Sequence, residues 1–203
     1  TIPLIANNFS FNFDGINDFM AVRSSSSLDT SLNASPVSTV AAWVFKTTAN
    51  TYAVIYANSR ANSGNMGMGL LINSANKLEA RFNMANNSKI SSASIPINEW
   101  VHVAVTYNNV VSNGISLYIN GVGQSFTPSF STALRYTAIS PPGSTITTAV
   151  TLGSFFNAFW YWPGKIDEVA VWDSVLTGPQ ILDLYNGRLG VQNETVDLSK
   201  YPT

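Results

Sequence analysis

Apolar residues recur with a period of two along almost the whole chain, the mark of strands rather than helices. LEARFNM (78–84) is the cleanest case. Leu78, Ala80, Phe82 and Met84 fall on one face, and Glu79, Arg81 and Asn83 fall on the other, which predicts a strand with one wet side. VSTVAAWVF (37–45) and WVHVAVTY (100–107) are apolar on both faces and rich in β-branched residues, so they predict buried central strands. ISLYINGVGQSF (115–126) predicts a hairpin: Ile115, Leu117 and Ile119 share a face, and Asn120-Gly121 supplies two residues that tolerate positive φ. Further short strands are expected in NFSFNF (8–13), FMAVR (19–23), YAVIYA (52–57), GLLIN (69–73), AVTLG (149–153) and KIDEVAVW (165–172). In the last of these, plain alternation sets Asp167 on the same face as Val169 and Val171. A carboxylate on an apolar face is costly unless a partner satisfies it.

Turn-rich segments such as NSRANSGNMG (58–67) and MANNSK (84–89) separate these runs, and the longest gap is residues 127–148. A gap of that length inside one domain points to function or insertion. One helix is expected. Thr177 caps it, Pro179 sits in its first turn, and Gln180 completes a T-x-x-Q capping box. Ile181, Leu184 and Tyr185 form its apolar stripe, and Gly187 ends it. Ten or more strands with one short C-terminal helix predict an all-β, two-sheet antiparallel jelly-roll sandwich. Residues 1–187 read as that single domain, and residues 188–203 as a C-terminal extension on it.

Composition narrows the chemistry. Of 203 residues only 10% are charged, net charge is -1, and there is no cysteine. That removes disulfides, zinc–thiolate sites and a cysteine nucleophile. No Lys/Arg cluster is present, which argues against nucleic acid and against anionic membranes. No apolar stretch approaches the length of a membrane span. The chain starts at Thr1, and TIPLIANN does not read as a signal peptide, so a processed or excised chain is expected.

Several segments, in this order and spacing, resemble the laminin-G-like (LamG), concanavalin A-like jelly rolls. They are FNFDGINDFMAV (11–22), STVAAWVF (38–45), EWVHVAVTYN (99–108) with ISLYINGV (115–122), and LGSFFNAFWYWPGKIDEVAVWDSVLTGPQILDLYN (152–186). The resemblance runs from about residue 9 to residue 187, and residues 127–148 and 188–203 depart from it. It implies first and last strands lying side by side, which would bring the FDGIND loop (13–18) near Asp167. It also implies a structural calcium ion (Ca2+) carried by Asp14 and Asp167, with Gly15 and Asn17 in the same oxygen-rich loop. The alternative is that Asp14 makes an Asx turn and Asp167 accepts backbone N–H groups.

The motifs of catalysis are missing. Glycosidases need two carboxyl groups flanking the substrate, and no two acids lie at i and i+2 on any expected strand. No G-x-S-x-G elbow and no phosphate-binding loop occurs, and His102, the only histidine, reads as a packed strand residue. The expectation is therefore a non-enzyme. FFNAFWYWPG (155–164) carries six aromatics in eight residues. Alternation sends Phe156, Trp160 and Trp162 one way and Phe155, Phe159 and Tyr161 the other, and only one set can be core. Phe156, Asn157, Trp160 and Trp162 are the candidate ligand-binding residues, since rings stack on sugars and the amide bonds hydroxyls. The same rings also suit a protein partner. Two functions follow: a non-catalytic, lectin-like binding or adhesion module for carbohydrate or a surface partner, or a structural virion decoration or appendage subunit. Either is expected outside the cell or on a surface, and a homo-oligomer or larger assembly suits the second.

Overall fold

A computed structural model describes residues 10–23, 37–59, 66–82, 87–108, 111, 114–127, 148–155 and 159–187. The expected residues 1–9, 128–147 and 188–203 lie outside the described residues, as do Phe156 and Asn157.

The described residues form thirteen strands, most of them at the period-two segments. They are β1 (Phe11–Asp14), β2 (Met20–Arg23), β3 (Val37–Lys46), β4 (Ala53–Ser59), β5 (Met66–Ile72), β6 (Lys77–Phe82), β7 (Asn87–Ser94), β8 (Trp100–Asn108), β9 (Ile115–Ile119), β10 (Val122–Gly123), β11 (Phe126–Thr127), β12 (Thr148–Leu152) and β13 (Pro163–Trp172). One helix among the described residues, α1 (Gly178–Tyr185), follows. One sheet runs β1-β13-β3-β8-β9-β10 and the other β11-β7-β6-β5-β4-β12-β2, with every pairing among the described strands antiparallel. This is the jelly-roll sandwich that the pattern implied. No helix among the described residues is long and apolar enough to cross a membrane.

The sheets meet over an inner core that includes Val40, Val44, Tyr56, Leu70, Phe82, Val103, Leu117 and Trp162. Two smaller clusters lie on the outer faces. Under α1, Ala41, Ala104, Leu176 and Ile181 pack together with Tyr118 and Trp172, which is why β3 and β8 are apolar on both faces. The helix starts at the expected capping box, where Thr177 accepts from the Gln180 N–H and the Gln180 side chain accepts from the Thr177 N–H. On the outer face of the seven-stranded sheet, Val54, Ala57, Leu71 and Phe155 form the second cluster, joined by Tyr52 and Trp160.

Three expectations need correction. The first concerns the hairpin at residues 115–126. Asn120 (φ 50°) and Gly121 (φ 76°) do form its tight turn, but its returning strand is only Val122–Gly123 before the chain crosses to the other sheet as β11. The second concerns MANNSK, expected as a turn: Asn87 to Lys89 begin β7. The third concerns Asp167, which does not share a face with Val171. On β13, Asp167 opposes Trp43 and Ala170 opposes Ala41, so three steps on one strand match two on the other. This β-bulge holds Glu168 at φ 47° and reverses the alternation. Val171 therefore sits opposite the core residue Val40, whereas Asp167 shares the outer face with Trp43. Asp167 Oδ1 accepts the Glu168 N–H at 2.8 Å, bonding the bulged residue.

Candidate functional site

Three segments converge at one end of the sandwich. The first is the turn after β1. Asp14 Oδ1 accepts from the backbone N–H groups of Ile16 (2.7 Å), Asn17 (3.1 Å) and Asp18 (3.4 Å), while Asp18 Oδ2 accepts from the Asp14 N–H (3.0 Å). The Ile16 and Asn17 amides, followed by that of Asp18, stabilise the ionised form and hold the Asp14 carboxyl below its ordinary range. Gly15 has φ 78°, and a Cβ there would stand 2.8 Å from Cβ of Pro163. Only glycine lets this turn lie against the start of β13.

The second segment is the β3–β4 loop. Lys46 is 1% exposed, and its Nζ donates to the Thr51 carbonyl (3.0 Å) and to Asn76 Oδ1 (3.4 Å). Asn76 Oδ1 also accepts from the Asn50 N–H, and its amide nitrogen donates to Asn50 Oδ1. Thr47 donates through both its N–H and its hydroxyl to the Pro163 carbonyl. The loop is thereby fastened on one side to the β5–β6 turn and on the other to β13.

The third segment is the aromatic stretch between β12 and β13. Phe155 and Phe159 exchange two backbone hydrogen bonds, and Trp162 N–H donates to the Gly153 carbonyl. The Trp160 carbonyl accepts from Val54 N–H at 2.9 Å, which pins the stretch to β4. Trp160 has φ 58°, a left-handed backbone that a bulky residue adopts only when its surroundings enforce it. Those surroundings are a stack on Tyr52 (centroids 4.9 Å apart, 22° between planes), an edge contact with Phe159 (5.2 Å, 82°) and a cation. The cation is Arg81, whose guanidinium lies 5.0 Å from the Trp160 ring and 5.6 Å from that of Tyr52. Arg81 is itself held by Glu79 Oε1, at 2.8 Å from Nε and 2.7 Å from Nη2.

Together these segments border a cleft of about 460 Å³. The turn contributes Asp14 and Gly15, the β3–β4 loop Thr48, Thr51 and Tyr52, and the aromatic stretch Trp160, Tyr161 and Pro163. An aromatic pair, two threonines and one ionised carboxylate thus share one concavity. That is a surface suited to a ligand with both C–H faces and hydroxyl groups.

The sequence-derived site residues divide accordingly. Trp160 borders the cleft. Trp162 does not: it is fully buried in the inner core with its Nε1–H bonded to the Lys165 carbonyl at 3.2 Å. The alternation assumed for the stretch fails at Trp160, whose positive φ turns it away from Trp162 in the inner core and against the outer cluster of Phe155. The side of β6 expected to be wet is covered. Glu79 is 1% exposed beneath the rings, and Asn73 Nδ2 donates to it at 3.4 Å. Tyr52 and Arg81, which shape the platform, carried no signal of their own because their only visible feature was a place in a strand pattern.

The residues implied for calcium are not brought together. β1 does lie beside β13, but Asp14 is opposite Pro163. Asp167 stands four residues further along, roughly 13 Å at the usual strand rise. Asp14, Gly15 and Asn17 stay together in the turn, where Oδ1 of Asp14 is occupied by three backbone N–H groups. No three His, Cys, Asp or Glu side chains among the described residues group to hold a metal ion. Calcium needs six to eight oxygens, several of them charged, and this donor set does not fit. His102 packs as expected. It is 3% exposed between Trp43 and Tyr185, and burial pushes its pKa down to about 4.

Comparison with known proteins gives fold relatives. A search of curated protein sequences finds no match. Among solved structures, the native heptameric SAP-like pentraxin from Limulus polyphemus superposes with a TM-score of 0.53 at 16% identity, covering 74% of this chain and 70% of that one. The Trypanosoma rangeli sialidase in complex with the inhibitor DANA gives 0.61 at 14% identity, covering 87% of this chain but 27% of the sialidase. Domain 4 of AbnA, a GH43 extracellular arabinanase from Geobacillus stearothermophilus in complex with arabinotriose, gives 0.50 at 20% identity, covering 73% of this chain and 66% of that one. At these identities the likeness is one of fold. The family model Laminin_G_3, described as the concanavalin A-like lectin/glucanases superfamily, matches residues 14–182, and the chain belongs to that family.

Proposed function

We propose that this protein is a non-catalytic, lectin-like module that binds carbohydrate in the cleft between the Asp14 turn and the Trp160–Tyr52 pair. The observation that carries the reading is the held aromatic platform, with Trp160 fixed on Tyr52 beside hydroxyl and carboxylate groups in one concavity. A sugar's C–H face stacks on the ring, and its hydroxyls bond to Thr48, Thr51 and Asp14. The structure of the arabinanase domain with arabinotriose supports a sugar ligand for this fold. Asp14 is the one carboxylate lining the cleft among the described residues. A pair flanking the bond to be cleaved is the requirement for glycoside hydrolysis, which favours binding over catalysis.

The test is a glycan array with wild type and Trp160→Ala, followed by calorimetry on the hits. The expected result is binding by wild type and a loss of at least about tenfold in the variant, in keeping with the weight of aromatic anchors. Both proteins should share one circular dichroism spectrum. No glycan bound, together with stable oligomers on size exclusion, would remove this reading in favour of an assembly subunit.

A further inference from the structure

We infer that the cleft selects neutral over anionic glycans, with the Asp14 carboxylate as the discriminating group. This inference rests on the sugar-binding reading above and specifies its ligand.

Among the described residues, the only ionised side chain lining the cleft is Asp14. Two cations stand near its walls, and neither is among the residues that line it. Arg81 makes both of its short contacts to Glu79, and the rings of Trp160 and Tyr52 lie over its guanidinium. Lys46 is 1% exposed and turned to the Thr51 carbonyl and Asn76. A sialic or uronic acid carboxylate entering the cleft therefore meets a like charge and no cation among the described residues that line it.

Asp14 stays ionised across ordinary pH, because three backbone N–H groups converge on its Oδ1. Those bonds also orient the second carboxylate oxygen independently of any ligand. A neutral sugar can donate hydroxyl protons to that oxygen, and such charge-assisted bonds are shorter and stronger than neutral ones. The same atom thus attracts the wanted ligand and repels the unwanted one, which is how discrimination is built.

The experiment uses matched pairs on one array: neutral oligosaccharides, arabinotriose among them, beside sialylated or uronic-acid counterparts, at low and high salt. Asp14→Asn is the variant, because the amide keeps an Oδ1 acceptor for the turn and loses the charge. We expect wild type to favour the neutral member by at least about tenfold at low salt, and by less at high salt, as screening grows. We expect Asp14→Asn to bind neutral glycans more weakly and to narrow the ratio by about tenfold. Equal or stronger binding of the anionic members by wild type would overturn the inference and leave the sugar-binding reading standing. So would an unchanged ratio in a folded Asp14→Asn, for the role of Asp14. Should that variant fail to fold, the salt dependence of the wild-type ratio decides: a ratio that does not fall with salt overturns the charge argument. No binding of either class would sink the sugar-binding reading itself.

Discussion

The sandwich buries two lysines with no carboxylate partner among the described residues, and this makes a strong prediction about alkaline pH. Lys89 is fully buried; its Nζ donates to the Ile115 carbonyl at 3.3 Å and lies 3.6 Å from the centroid of the Phe126 ring. Lys46 is 1% exposed and bonds two neutral oxygens. Burial disfavours the ammonium in both, and both pKa values fall from 10.5 to about 8. Between those values the unfolded chain binds more protons than the folded one, so stability rises with pH. Below pH 8 the full penalty of burying the charge applies, and above 10.5 it is gone.

The size follows from the shifts. At pH 9 each lysine has regained about 1.4 kcal/mol relative to neutral pH, one pKa unit being worth about that much. For the pair this is about 3 kcal/mol. With a urea slope of about 2 kcal/mol per M for a domain of this size, the midpoint should move up by about 1.4 M between pH 7 and pH 9. Urea titrations followed by tryptophan fluorescence would measure this. Lys89→Met provides the control, since it removes one of the two contributions and should roughly halve the rise whatever its absolute stability. A midpoint that is flat or falling over this range, or an undiminished rise in the variant, would refute the reasoning.

His102 is buried neutral, with a pKa of about 4 against 6.5 when free, so the unfolded state binds the extra proton between those values. Stability should therefore fall by up to about 3 kcal/mol as pH drops from 6.5 to 4, and an acid-side urea series that stays level would contradict this. Gly15→Ala places a methyl group against Pro163 at positive φ; a loss of about 1–3 kcal/mol is expected, and an unchanged melting point would show that the turn is not held as described. Because no three acidic side chains among the described residues gather to hold a metal ion, a melting curve with a chelator should match one with added calcium. A clear rise with the ion would reveal a site that this donor set does not contain.

Most of the fold is legible in the sequence because most strands bury one or two apolar faces. β3 and β8 read as doubly buried strands, and the structure supplies the reason in α1 on one side and the second sheet on the other. The helix was equally plain, because Thr177 and Gln180 satisfy each other locally. β7 was illegible for the opposite reason. Its buried positions include Lys89 and Ser91, so no apolar alternation marks it, and its stability comes from pairing with β6 and from tertiary partners for the polar groups. The bulge at Glu168 was hidden because alternation carries no count of inserted residues, and one extra residue moved Asp167 to the other face. The candidate site was half legible: the aromatic run announced itself, but the partners of Trp160 come from the β3–β4 loop, β4 and β6, far away in sequence.

That last point bears on why the platform is suited to binding. Within eight residues the chain delivers Phe155 to the outer cluster, Trp160 to the cleft and Trp162 to the inner core. The two buried rings fix the backbone on either side of Trp160, and the hydrogen bond from Val54 fixes it in the middle. Trp160 therefore has little freedom left to lose when a ligand stacks on it. Ordering a mobile side chain costs about 0.5–1.5 kcal/mol on binding. Here folding has already met that cost, through the left-handed backbone and the Arg81–Glu79 support beneath the ring. A weak, shallow contact such as sugar stacking gains most from this arrangement, because its gross energy is small and any ordering cost would consume much of it.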